Sequence, residues 1–497
     1  MKQKRSKWFY ATGCTCRDMT YILVSLFLLT YIQYTNLVNK EQFVVLSIII
    51  VLCRVWDAVN DPMMGTIISN TKTRFGKFRP WILIGAITNA IALACMFNIR
   101  VDVGSSINTL GWYNVGILGG LYLLWSMTYT MNDVSFWSIL PVLAENKKDR
   151  DTLTTMLTVF ASLGSFIAGG LVPMLTPSNP IRIYGAIGII FAGCFLISQI
   201  IVFFMVHDNK DDTFIERNTV EKKEENITLK QMFKIVFSNN QLLVIAIVFL
   251  FANLGSAILN AFGQNFFYFK YGYNGTEMFI FTVIYAAGTL LSQALFPMFA
   301  KRFSRMKIAF ISVLILSLGY LLFFIFANIG LPQSVSFILL CASGVFVFIG
   351  QGIFYMVMLI MLTNTIEYDE WKSGKRNDAI VFSVRPFIVK LAGAIQYLLV
   401  SVTLVICGLY TITEEIGKVV QSISLKEITE EAGVSTITEM LSKVNSTQML
   451  LLTLCMTIVP VILYVIGYII TKKKYIIDEE MYDKMIAEIA ERKNTIE

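Results

Sequence analysis

Residues 54–80 read RVWDAVNDPMMGTIISNTKTRFGKFRP, and the organisation of the whole chain follows from this stretch. It begins inside an apolar run that starts at Phe43 and ends in a basic loop of Lys72, Arg74, Lys77 and Arg79. Asp57 and Asp61 sit one helical turn apart, on one face and about 6 Å from each other along the axis. A charge at mid-membrane costs roughly 2.5–3.5 kcal/mol on insertion scales, so a pair of acids there is expected to face a polar cavity and to hold a ligand. Asn60 adds an amide oxygen beside the second acid. Oxygen donors of this kind suit a small hard cation, or a proton shared between the acids. The alternative for the pair is a structural ion pair with a base such as Arg54.

Composition supports a membrane setting. The chain has 497 residues, 56% hydrophobic and only 15% charged, with a mean hydropathy of +0.65. A soluble chain of this size would need a more polar exterior. The net charge of +7 gathers in short loops, as the positive-inside rule describes, and not in a nucleic-acid footprint. The basic start, Lys2 to Lys7, precedes a long first span without a small-residue cleavage site, so no cleavable signal peptide is expected. The eight cysteines are scattered mostly through apolar runs and read as small core residues; Cys14 and Cys16 are too isolated for a zinc site. His207 is the only histidine, which excludes a histidine proton relay. No metal set, nucleophile–base pair or phosphate loop supports an enzyme.

Twelve apolar spans are long enough to cross a bilayer. They fall at about 17–39, 42–69, 80–99, 111–140, 152–175, 182–206, 240–269, 276–300, 307–328, 335–363, 379–410 and 447–471. Basic clusters follow the even-numbered spans, which predicts that both termini are cytoplasmic. The polar stretch 208–239 divides the chain into an N-terminal six-helix bundle, 1–207, and a C-terminal one, 240–474. Each half has a basic loop after its second span, FGKFRP in the first and FAKRFSRMK in the second, as in a repeat-built transporter. The loop 411–446 is expected outside the cell, with a short helix of unreadable function. The tail 475–497 places Ile477, Met481, Met485 and Ile489 at helical spacing, for a cytoplasmic amphipathic helix against the bundle or the headgroups.

Other polar residues fall in or beside the spans. Arg17 and Asp18 open the first span, either as an interfacial pair reaching water or as part of a site. Asp133, Trp137 and Thr130 share one face of the fourth span. An acid beside an indole suits a polyol, the carboxylate accepting hydroxyls and the ring covering an apolar sugar face. The competing readings are a helix–helix hydrogen bond for Asp133 and an interfacial anchor for Trp137. Lys390, inside the eleventh span, needs an acid such as Asp57, Asp61 or Asp133 unless it snorkels. Arg385 reads as a loop-side charge.

The motifs RVWDAVNDPMMG and TRFGKFRPW, with RDMTY, DVSFWSILP, NTIEYDEWKSGKRNDAIVFSV and YIIDEEMYDKMIAEIAERK, are spread from the first span to the tail, and the resemblance they carry covers essentially the whole chain. Together they resemble the glycoside–pentoside–hexuronide:cation symporter family, the melibiose-permease-like branch of the major facilitator superfamily. The resemblance implies an all-α membrane protein of twelve helices in two six-helix bundles. It also implies cation-coupled symport of a sugar or glycoside into the cell. Asp57, Asn60, Asp61 and Thr130 match the family's cation site, with Asp57 and Asp61 holding sodium or lithium if the coupling ion is not a proton. Arg17, Asp18, Asp133 and Trp137 match its sugar-binding residues, and Lys390 its coupling lysine. Two departures put a galactoside in doubt: Thr158 stands where a sugar-contacting arginine is expected, and Arg17 replaces a lysine. The expected partners are a small sugar or glycoside, a monovalent cation (Na+, Li+ or H+) and the lipid bilayer, with no cofactor and no nucleic acid. The expected state is a monomer in a bacterial inner membrane. The alternative is transport of a non-sugar solute such as a lysolipid; Asp18 and Asp133 argue against it.

Overall fold

The computed structural model describes residues 2–103, 106–144, 147–206, 237–374 and 378–496. Almost all of the expected middle loop 208–239 lies outside the described residues, as does His207. The described chain forms fifteen helices. They are α1 (Lys2–Tyr34), α2 (Lys40–Ser69), α3 (Arg79–Asn98), α4 (Ile107–Leu143), α5 (Lys147–Leu175), α6 (Pro180–Met205), α7 (Asn240–Tyr271) and α8 (Thr276–Arg302). There follow α9 (Arg305–Asn328), α10 (Gln333–Ser373), α11 (Asp378–Ile406), α12 (Leu409–Ser424), α13 (Glu430–Ser442), α14 (Ser446–Lys474) and α15 (Glu479–Ile496). Among the described residues ten helices are long and apolar enough to cross a membrane. At 30 and 37 residues, α2 and α4 also exceed the length of about 20 that a span needs.

Local chemistry sets the ends of these helices. Asn39 and Gln42 form a capping box at the start of α2, which satisfies two otherwise orphaned amides. Pro80 opens α3 and Asn179 caps α6. Gly408, at φ +70°, lies between α11 and α12 in the left-handed region that glycine enters without penalty. The eleventh span therefore stops at Ile406 instead of 410. The expected single helix in 411–446 is two, α12 and α13.

The chain forms two compact units. The first holds residues 1–226, 267–279 and 397–445; the second holds 227–266, 280–396 and 446–497. In the first, α1 packs on α5 and α6, α3 on α4 and α6, and α2 on α4. Gly164 of α5 lies so close to α1 that an added Cβ would fall 2.0 Å from Thr15 O. One core cluster joins Tyr10 and Cys14 of α1, Ile82 of α3, Phe136 and Ile139 of α4, Leu157 of α5 and Val202 of α6.

In the same unit, α12 buries Tyr410, Thr413, Ile416, Gly417, Val420 and Gln421, which recur at three- and four-residue spacing. That face meets the turn between α1 and α2. Tyr410 Oη donates to Val38 O at 2.9 Å and its ring stacks on Phe43 at 4.3 Å. Asn36 Nδ2 donates to Gln421 Oε1 at 2.6 Å.

In the second unit, α9 packs on α10 and α14, and α15 on α10. Ile477, Met485 and Ile489 are buried, so the tail's apolar face is spent on the protein. Its polar face is also tied down. Trp371 Nε1 donates to Glu488 Oε2 at 2.6 Å, and the amide of Arg305 donates to Glu479 Oε1 at 2.7 Å.

Candidate functional site

The acids of α2 face hydroxyls of α4. Ser126 Oγ donates to Asp57 Oδ1, and Thr130 Oγ1 donates to Asp61 Oδ1 at 3.1 Å. Asp57 is buried and Asp61 partly so. Between them on the helix, Asn60 is 3% exposed, and its buried Nδ2 has no hydrogen-bond partner among the described residues. Two carboxylates of α2 and two hydroxyls of α4 thus meet, with the buried Asn60 amide on the same stretch of α2. Arg54 belongs to the helix interior and not to a loop: it is 8% exposed, with its guanidinium over the Tyr397 ring.

One turn beyond Thr130, α4 presents Asp133. Arg17 Nη1 lies 3.0 Å from Asp133 Oδ1, a charge contact without hydrogen-bond alignment. Arg17 Nη2 donates to Asp18 Oδ2 at 3.2 Å. The guanidinium is also 5.2 Å from the Trp137 ring and 4.7 Å from that of Phe136, within cation–π range. Arg17 is 2% exposed, so it does not reach out to water as the interfacial alternative requires. α1 extends to Lys2, which carries Arg17 and Asp18 deep into the helix instead of to its end. Trp137 keeps 37% of its surface open and Asp133 36% of its side chain. The acid and indole are held in place yet remain reachable.

Three aromatic side chains of α1 and α4 pack on one another. Tyr21 of α1 lies 6.2 Å from Trp125 and 5.3 Å from Tyr129, and Trp125 lies 5.5 Å from Tyr129. Trp125 is 3% exposed and its Nε1–H has no acceptor among the described residues. Rings of this kind cover apolar faces while a polar tip bonds a ligand.

The structure therefore brings Asp57 and Asp61 against Ser126 and Thr130, with Asn60 beside them in the sequence of α2, and it brings Arg17, Asp18, Asp133 and Trp137 together. Lys390 is half-buried on α11 in the other unit. Thr158 is exposed on α5, its hydroxyl turned back to Thr154 O. Arg385 is exposed and donates to Tyr355 Oη at 3.0 Å. Sequence reasoning missed Ser126, Tyr21, Trp125 and Tyr129. For Ser126 a signal existed: it precedes Thr130 by the spacing that separates Asp57 from Asp61. The aromatic residues gave none, because tyrosine and tryptophan in an apolar run read as packing or as interfacial belt.

The family described as MFS/sugar transport protein matches residues 9–479. The chain belongs to that family. As an MFS/sugar transport protein it is a multi-pass all-α membrane protein of the major facilitator fold, as expected. A lactose permease of Lactobacillus delbrueckii subsp. bulgaricus is 28% identical over 425 residues, covering 83% of this chain and 65% of the permease. A raffinose carrier protein of Pediococcus pentosaceus is 29% identical over 421 residues, covering 81% of this chain and 62% of the carrier. The chain thus spans just under two thirds of the length of these relatives. In fold, this MFS protein is similar to a bacterial homologue of the human lysosomal transporter Spinster. The TM-score is 0.61 at 13% identity, over 95% of this chain and 98% of that one.

Proposed function

We propose that this protein is a symporter that carries a sugar or glycoside into a bacterial cell across the inner membrane, driven by a monovalent cation gradient. The observation that carries the reading is the placement of both groups on one face of α4. Thr130 is bonded to Asp61, and Asp133, one turn on, is paired with Arg17. Family membership and relatives named for lactose and raffinose support a sugar.

In this reading Asp57, Asn60, Asp61 and Thr130 bind the cation. Asp18, Asp133 and Trp137 bind the sugar, whose hydroxyls displace Arg17 from its poorly aligned contact with Asp133. A cation that draws Asp57 and Asp61 together fixes α4 and so presets Asp133 and Trp137. Reciprocity then requires that sugar raise cation affinity by the same factor. Lys390 serves as a coupling charge. The chain is built as bundles 1–207 and 240–474, joined by the cytoplasmic stretch 208–239 and followed by the cytoplasmic tail 475–497. It works as a monomer by alternating access.

The test is uptake of labelled glycosides, pentosides and uronides into vesicles, with and without an imposed sodium gradient at fixed pH. Gradient-driven accumulation of one sugar class supports the reading. No uptake under a sodium, lithium or pH gradient overturns it. Coupled uptake by an Asp61→Asn protein removes that residue's cation role.

A further inference from the structure

In the second unit, α8 and α9 are joined by a two-residue turn, Phe303 and Ser304. Both helices, and α14, are long and apolar enough to cross a bilayer, so this turn lies at a membrane surface. The start of α15 folds back onto it, held by Arg305: Nε lies 3.8 Å from Glu479 Oε1, and the guanidinium 5.1 Å from the Tyr482 ring. Between the turn, α10 and α15 is a cavity of about 570 Å³, within the roughly 300–1,000 Å³ usual for small-molecule sites. Phe296, Ile308, Val357 and Ile360 give it an apolar lining. The turn adds Lys301, Arg302 and Arg305, and the start of α15 adds Asp478, Glu479 and Glu480.

Only Arg305 and Glu479 among these six charges are joined to each other. Lys301, Arg302 and Glu480 are exposed, with no ion pair among the described residues. Asp478 Oδ1 accepts the amide of Met481 at 2.8 Å, which fixes that carboxylate. Two bases and two acids therefore border one cavity without pairing. A simple anion there meets Asp478 and Glu480, and a simple cation meets Lys301 and Arg302; a ligand that carries both signs satisfies all four. The surroundings add an apolar demand. Leu291, Met298 and Arg302, all exposed, recur seven and four residues apart on one face of α8. An apolar stripe thus runs from the cavity toward the middle of the span.

We infer that this cavity seats the headgroup of a zwitterionic phospholipid with a primary ammonium, its acyl chains lying along the exposed stripe of α8. Lys301 and Arg302 take the phosphate through charge-assisted hydrogen bonds, as basic pockets at a membrane surface do. Asp478 and Glu480 accept the N–H groups of the ammonium. A choline head has no N–H to give and calls for open aromatic faces, whereas Arg305 occupies Tyr482. A glycerol head carries no positive charge and leaves both acids facing its phosphate.

The experiment uses the purified, delipidated full-length protein in detergent, titrated with dioleoyl phosphatidylethanolamine, phosphatidylcholine or phosphatidylglycerol. Bound lipid is counted by native mass spectrometry, a readout independent of transport. The wild type is expected to retain phosphatidylethanolamine in preference to the other two. The double variant Lys301→Gln with Arg302→Gln is expected to weaken that binding at least about tenfold, the loss of one hydrogen bond to a charged group. Glu480→Lys is expected to shift the preference to phosphatidylglycerol, a gain that misfolding cannot produce. Lys307→Gln, exposed on α9 and outside the cavity, is expected to change nothing. Equal retention of the three lipids by the wild type overturns the inference. So does an equal loss in Lys307→Gln, which marks diffuse surface attraction. Displacement of the lipid by O-phosphoethanolamine at the lipid's own concentration also overturns it, in favour of a soluble phosphate compound.

Discussion

The guanidinium of Arg54 lies 4.4 Å from the ring centroid of Tyr397, whose hydroxyl donates to Val24 O at 2.9 Å. One tyrosine of α11 is thereby fastened to α1 and to the turn of α2 that precedes Asp57. A buried cation over a ring is stabilised by about 2 kcal/mol, and Arg54 Nε has no hydrogen-bond partner among the described residues. Tyr397→Phe keeps the ring and is expected to cost about 0.5–1.5 kcal/mol, the worth of one hydrogen bond. Tyr397→Ala uncovers the guanidinium and is expected to lower the melting temperature much further. Thermal unfolding of the purified protein separates the two.

Arg17 stands between two acids, so its removal strands both. Deleting the buried guanidinium leaves both carboxylates without their counter-charge, whereas deleting opposed charges together is milder. Arg17→Met is expected to destabilise strongly, and adding Asp133→Asn to recover part of the loss. A double-mutant cycle on unfolding measures the coupling. Additive effects in that cycle remove the pairing as the cause.

Glu414 of α12 has its carboxyl raised above 4.5 by burial, a rise opposed by Lys418 and reinforced by Glu415. With the folded value above the unfolded one, the folded state binds more protons between them. The contribution of Glu414 to stability is therefore complete below pH 4.5 and declines as pH rises through the folded value. Glu414→Gln is expected to flatten this decline and to stabilise the protein slightly at neutral pH. Melting temperatures of both proteins from pH 4 to 8 give the comparison.

At Gly417, α12 approaches the α1–α2 turn closely: an added Cβ would lie 2.7 Å from the backbone nitrogen of Asn36. Backbone cannot yield as a flexible side chain does, so Gly417→Val is expected to lift α12. Cys407, buried at 7% exposure just before α12, is the built-in reporter. Its modification by a maleimide, followed by peptide mass spectrometry, is expected to accelerate in the variant. An unchanged rate means that α12 tolerates the clash in place.

What the sequence revealed depended on cost. Asp57, Asp61 and Asp133 stood out because a charge in an apolar run demands a reason, and the family follows from the motifs around them. Span positions were legible because length and hydropathy are one-dimensional. The depth of Arg17 was not, since the apolar run that defines a span begins later than the helix that carries it. Ser126 cost nothing to place in a helix, and its meaning depends on the register of α2 against α4, which no single segment contains. The loop 411–446 stayed obscure for a similar reason. The apolar stripe of α12 is visible in order, but its seat, the Asn36–Asn39 turn, lies in a distant part of the chain.

The two hydroxyl–carboxylate contacts of α2 with α4 share one sequence offset of 69 residues, which limits how they can come apart. Sliding α2 along α4 by a single residue, about 1.5 Å, shifts both pairs out of line at once, and so does any rotation of either helix. The two contacts behave as a vernier, with both aligned or neither. A helix movement too small to open a pathway is then enough to break both hydroxyl–carboxylate contacts. An insertion or deletion between Asp57 and Asp61 would turn one carboxylate by about 100°, leaving the composition of α2 nearly unchanged while dismantling the double contact.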